Sequence, residues 1–141
     1  MQEVEAAVQF GQRKQLRTEL HLRGWAVVLG PGDGQAQHVH PMAVWSGVYY
    51  VKVPALVGGA SSSGCLQLAD PRPAAHMLTL GPGDAQFGVE RTVCPETGLL
   101  VLFPSWLPHS VVHMAALPPG GATGAEAERI AVAFNVHGAE V

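Results

Sequence analysis

The chain has 141 residues, a formal net charge of −3 and only 13% charged residues, against about a quarter in an ordinary soluble domain. That length suits one domain. It contains no Lys/Arg block to act as a nucleic-acid footprint and no apolar run near the roughly 18 residues of a membrane span. With 17 Gly, 11 Pro and 48% hydrophobic residues, the composition predicts short strands and tight corners around one core.

The acidic start, Met1-Gln2-Glu3-Val4-Glu5, lacks a signal-peptide pattern. Residues 2–22 are predicted as a helix: Val4, Ala7, Val8 and Gly11 share a side, Leu16 and Leu20 are four apart, and Gly24 ends the pattern. The chain therefore divides into a helical segment, 1–24, and an all-β domain, 25–141. A strand is predicted at 25–29, closed by the turn cluster Gly30-Pro31-Gly32-Asp33-Gly34, with a free backbone turn continuing to Gln37. Residues 44–53 form the next strand, rich in β-branched and aromatic residues and ended by Pro54. Residues 56–63, with Gly58-Gly59 and three serines, are predicted as a flexible loop. Further strands are expected at 65–69 and 86–93, separated by a turn at 81–84. The apolar run 98–103 fits a buried strand, followed by another at 109–114. Residues 118–127 are Gly/Pro/Ala-rich and expected as a mobile loop; 129–136 is the last strand, alternating Ile130, Val132, Phe134 and Val136 with smaller residues. Strands with no helix between them indicate a sandwich or barrel. Cys65 and Cys94 are far apart with no CxxC pattern and read as buried free thiols, which points to a reducing, cytoplasmic location.

The chemistry lies in the histidines. His38 and His40 are two apart, so on extended chain both imidazoles face one way and can share a metal. His109, after the turn Pro104-Ser105-Trp106-Leu107-Pro108, offers a third ligand from a distant segment. Spacing alone leaves iron, zinc, copper and nickel open. His21, His76, His113 and His137 are assigned to surface or packing, and Trp45 and Trp106 to the rim or the core.

The blocks Gly32-Asp33, His38-Val39-His40-Pro41, Trp45-Ser46-Gly47-Val48-Tyr49-Tyr50, Asp70-Pro71-Arg72, Pro104-Ser105-Trp106-Leu107-Pro108-His109 and Arg129-Ile130-Ala131-Val132-Ala133-Phe134-Asn135 occur in this order. The chain thereby resembles the small prolyl-hydroxylase-like 2-oxoglutarate/Fe(II) oxygenases over about residues 25–136. The resemblance implies a double-stranded β-helix, or jelly roll, with Fe(II) as the metal, 2-oxoglutarate as co-substrate and molecular oxygen as oxidant. It implies His38, His40 and His109 as iron ligands and catalytic residues, with Arg129 and Tyr50 on the far carboxylate of 2-oxoglutarate. Asn135 is a further candidate for hydrogen bonding in the site. His40 departs from the superfamily pattern, which has Asp or Glu there; Asp70 is the alternative carboxylate. The prime substrate is unknown, and a homodimer is left open. Two rival readings stand beside this one: a cupin-like metalloprotein that does not use 2-oxoglutarate, supported by Gly32 and Gly98 six residues before His38 and Pro104, and a non-catalytic module that keeps only the fold.

Overall fold

A period of two, not a helical period, organises the chain from Thr18 onward. The computed structural model describes residues 18–55, 57–58, 61–72, 90–116 and 124–140. Thr18–Leu29 (β1) is one strand and pairs antiparallel with Arg129–Glu140 (β8) over twelve successive positions. The helix expected at 2–22 is therefore corrected over 18–22, and β1 passes through Gly24 without a break. Residues 1–17 lie outside the described residues. Leu20, Leu22, Ala26 and Val28 occupy one face of β1 and Trp25, Val27 and Leu29 the other. This alternation outweighs the single Leu16/Leu20 spacing that suggested a helix.

Between these strands lie β2 (Gln35–His38), β3 (Trp45–Lys52), β4 (Leu66–Ala69), β5 (Glu90–Val93), β6 (Leu100–Pro104) and β7 (His109–Val111). They form two four-stranded antiparallel sheets, ordered β1-β8-β3-β6 and β2-β7-β4-β5. This is the jelly roll expected from the sequence. β2 was anticipated only as a turn. β7 is shorter than the predicted 109–114 strand, and Met114 is instead buried and tied by its backbone to Gly32 and Asp33. A 3-10 turn, Gly124–Ala127, stands where part of the 118–127 loop was expected. The turn at 81–84 and the start of the 86–93 strand lie outside the described residues. In the 56–63 segment, Gly58 bridges to Ser63, whose buried hydroxyl accepts from the Ala115 amide.

The β1-β8-β3-β6 sheet has two unlike faces. Inward, β8 presents Arg129, Ala131 and Ala133, opposite Leu29, Val27 and Trp25 of β1. The larger Ile130, Val132, Phe134 and Val136 point outward. There the register lines up three rows across all four strands: Leu22-Val136-Trp45-Pro104, Gly24-Phe134-Gly47-Leu102 and Ala26-Val132-Tyr49-Leu100. Phe134 lies over Gly47, where an added Cβ would stand 2.3 Å from the ring tip, so the middle row is flat. The expectation of a buried strand at 98–103 is corrected by this arrangement. β6 is an edge strand, and only Phe103 of its apolar residues is buried, while Leu100 and Leu102 face outward.

Leu29, Val111 and Met114 form a small core between the sheets, with Val27 and Val57 packed on it. Cys65 and Cys94 continue the β4–β5 ladder and are joined by a disulfide, with Cα atoms 4.4 Å apart. The free-thiol reading is therefore corrected, and the argument it gave for a reducing compartment goes with it. The registers of β4 and β5 bring the two sulfurs opposite each other across 29 residues of chain, a proximity that their sequence separation hides. Cys94→Ala, or reduction of the bond, is expected to lower the unfolding free energy by roughly 2–4 kcal/mol. Denaturant midpoints with and without reductant measure this, and coincident curves would contradict it.

Candidate metal centre

His38 is the last residue of β2 and His109 the first of β7, and the two are cross-strand partners. Their ring centroids are 4.3 Å apart, and His40 lies 5.1 Å from each. One nitrogen of each ring falls within 4.8 Å of the others, so the three can hold one metal ion. Backbone bonds set this convergence. The His40 amide donates to the Ser105 carbonyl, the Ser105 hydroxyl donates to the Ala43 carbonyl, and the Leu107 amide donates to Pro104. The 104–108 turn that aims His109 is thus sewn to the 40–44 turn that aims His40.

The tautomers follow from the partners. His38 Nδ1 is 2.8 Å from the Ala36 carbonyl and His109 Nδ1 is 2.9 Å from the Leu107 carbonyl. A carbonyl only accepts, so each Nδ1 carries the proton and each Nε2 keeps its lone pair for a metal. Burial, and then the neighbouring imidazoles, pull His109 below the ordinary histidine range, although the Leu107 carbonyl opposes this. His40 is lowered by burial and by His38. Both are therefore neutral and ligand-competent near neutral pH. A histidine whose folded pKa is depressed gives stability that is present above its unfolded pKa, roughly 6.5, and lost as pH falls through the folded value. The metal-free protein is accordingly expected to lose thermal stability below about pH 6.5, and His40→Gln should flatten that slope. A melting temperature that does not change from neutral to mildly acid pH would contradict this.

The histidines open onto a small interior space between the two sheets. Tyr50 and Arg129 line the same space, and the guanidinium carbon of Arg129 is 4.8 Å from the Tyr50 ring centroid. Arg129 is 2% exposed. Among the described residues no carboxylate pairs with it, and neither its Nε nor the Tyr50 hydroxyl has a hydrogen-bond partner. Burial lowers the affinity of Arg129 for its proton and raises that of Tyr50; their mutual attraction opposes both shifts. Ala131 and Ala133 line the same space with short side chains.

Asn135 does not line this space. It accepts a hydrogen bond from the Ser46 hydroxyl at 2.8 Å, and Ser46 does line it. Asp70 is outside the histidine cluster: it accepts from the Arg72 amide and Nε, and Arg72 holds its carboxyl below the usual range. His137 donates to the Met42 carbonyl at 3.1 Å and so supports the 40–44 turn, where Met42 has a φ of 69°. Of the two tryptophans considered from sequence, Trp45 lies on the outer face and Trp106 borders a groove beside His40. Trp25 was missed; it lines the cavity and meets His40 edge-on at 6.0 Å. Phe103 was missed too, and its ring is 4.7 Å from that of His109. The inward parity of β1 and β6 was the available signal for both.

No helix among the described residues is long and apolar enough to cross a membrane. No curated protein matches the chain. Among solved structures, a prolyl-4-hydroxylase from Pseudomonas putida superposes with a TM-score of 0.51 at 21% identity, over 86% of this chain and 54% of that one. HygX from Streptomyces hygroscopicus, solved with nickel and 2-oxoglutarate, gives 0.53 at 11% identity, over 84% and 57%. The same protein solved with iron gives 0.54 at 12% identity, over 84% and 58%. The chain thus spans little more than half the length of these relatives, and at such identities they establish the fold alone. The family profile described as "Putative 2OG-Fe(II) oxygenase" matches residues 23–135. On that match, which covers all eight strands but for the two ends of the β1–β8 pair, the chain belongs to the 2-oxoglutarate/Fe(II) oxygenase family.

Proposed function

We propose that this chain is a 2-oxoglutarate- and Fe(II)-dependent dioxygenase that hydroxylates a substrate yet to be identified. The observation that carries the reading is the buried Arg129. A guanidinium that is 2% exposed, with no carboxylate beside it among the described residues, calls for an anion. It stands in the same cavity as three imidazoles able to hold a metal. A dicarboxylate fits both ends: one carboxylate on Arg129 and the Tyr50 hydroxyl, the other end at the metal.

In this reading His38, His40 and His109 hold the iron. Iron(II) with bound 2-oxoglutarate and oxygen supplies oxidative decarboxylation to succinate and carbon dioxide, coupled to hydroxylation of a C–H bond. The chain's own groups orient and shield. Ala36 and Leu107 fix the ring orientations of two ligands through Nδ1–H. Phe103, Val48 and Leu66 keep the cavity wall apolar, which strengthens the pairing of Arg129 with a carboxylate. Asn135 acts one step back, through Ser46. The three-imidazole set leaves the metal's charge unneutralised, so an anionic co-substrate would be drawn to both ends of the cavity.

Anaerobic titration of the protein with Fe(II) and then 2-oxoglutarate tests the proposal. The expected result is a visible absorbance band that needs both, followed by succinate release on exposure to oxygen. Metal binding with no effect of 2-oxoglutarate, unchanged in Arg129→Ala, would overturn it and favour a cupin-like metalloprotein.

A further inference from the structure

We propose that the outer face of the β1-β8-β3-β6 sheet is the interface of a symmetric dimer of this chain. This inference does not depend on the proposed reaction. An antiparallel sheet with one face in water normally alternates apolar-in, polar-out. Here the three outward rows across the four strands contain no charged residue. Leu22 is 65% exposed, Leu100 56%, Leu102 55%, Tyr49 44% and Trp45 43%.

Scattered exposed apolar residues would be ordinary, but these are contiguous by register. With Leu20, Val28 and Val51, which are also exposed, the face amounts to on the order of 800 Å² of apolar surface. That exceeds the roughly 300–600 Å² of the largest patch on a typical monomer. It matches what each partner contributes to a stable interface of standard size.

Two features select a second copy as the occupant. The three rows are uncharged, and Lys52, which stands beyond them opposite Ile130, donates to the Ala125 carbonyl; the rows offer an unlike partner no electrostatic address, whereas an isologous contact needs only self-complementarity. It is flat at its centre, because Phe134 lies over Gly47 with Gly24 on its other side, and flat sheets pack face to face about 10 Å apart. The metal-binding cavity opens between the sheets, so pairing through the outer face leaves it free.

Light scattering and sedimentation of the full chain over roughly 1–100 µM test this. The expected mass is twice the 14.8 kDa of one chain. Leu102→Glu is expected to raise the dissociation constant on the order of 100-fold, with circular dichroism and metal uptake unchanged. Because Leu102 is solvent-exposed in the monomer, this change leaves the core intact; Tyr49→Lys repeats the test should Leu102→Glu fold poorly. A wild-type monomer throughout the range, or folded variants that dimerise as tightly as the wild type, would overturn the proposal.

Discussion

Arg129→Met is expected to make the metal-free protein more stable and the 2-oxoglutarate site nearly useless. Arg129 is buried, with no carboxylate partner among the described residues, and burial already lowers its hold on its proton. An uncompensated buried cation costs several kcal/mol, and a well-packed apolar replacement of similar volume recovers roughly 1–4 kcal/mol. The same change removes the charge-assisted, two-pronged contact proposed for the co-substrate. That loss should raise the half-saturating 2-oxoglutarate concentration roughly 30- to 1000-fold, equivalent to about 2–4 kcal/mol. The opposite signs make the test sharp. Thermal unfolding without ligand reports the first and succinate release against 2-oxoglutarate the second, while iron uptake should not change. A variant that is less stable and binds 2-oxoglutarate normally would show that Arg129 has a structural role only.

The second large effect separates the three imidazoles. His109→Ala should reduce iron affinity by more than about 100-fold, beyond the usual cost of losing even a supporting partner, and abolish succinate formation. His109 is buried, lies against Phe103, and has its ring fixed by the Leu107 carbonyl. His40→Asp is expected to retain iron. Among the described residues the His40 ring has no hydrogen bond comparable to those fixing His38 and His109, and a carboxylate there would neutralise part of the metal's charge. Metal analysis after dialysis, with circular dichroism as the folding control, measures both. Iron retained by His109→Ala, or lost from a folded His40→Asp, would remove this assignment of ligands.

The site was more legible in the sequence than the fold's margins were. The His38-x-His40 spacing puts two imidazoles on one face of an extended chain by geometry alone, and their rings do meet at 5.1 Å. The 104–108 turn placed His109 at a strand start, where it stands. Arg129 and Tyr50 came from resemblance rather than spacing, since nothing local to either shows that β3 and β8 are neighbours. The outward face misled in two places. Leu20, four residues after Leu16, suggested a helix, and the run ending at Phe103 suggested a buried strand. Both inferences assumed that apolar side chains are covered within the chain, whereas β1 and β6 point theirs outward. The disulfide was missed because its partners meet only once β4 and β5 are in register.

The pairing of His38 with His109 has a mechanical consequence. β2 is a four-residue edge strand, held in its sheet among the described residues by β7 alone, with a register irregularity between Gln35 and His38. An ion ligated by both residues would fasten that edge to the interior like a rivet, at the point where the ladder is shortest. Loss of the ion and fraying of β2 then become one event, so amide exchange in β2 should follow the metal's escape rate. The strand whose loosening would let the ion leave is thus a short edge of its sheet.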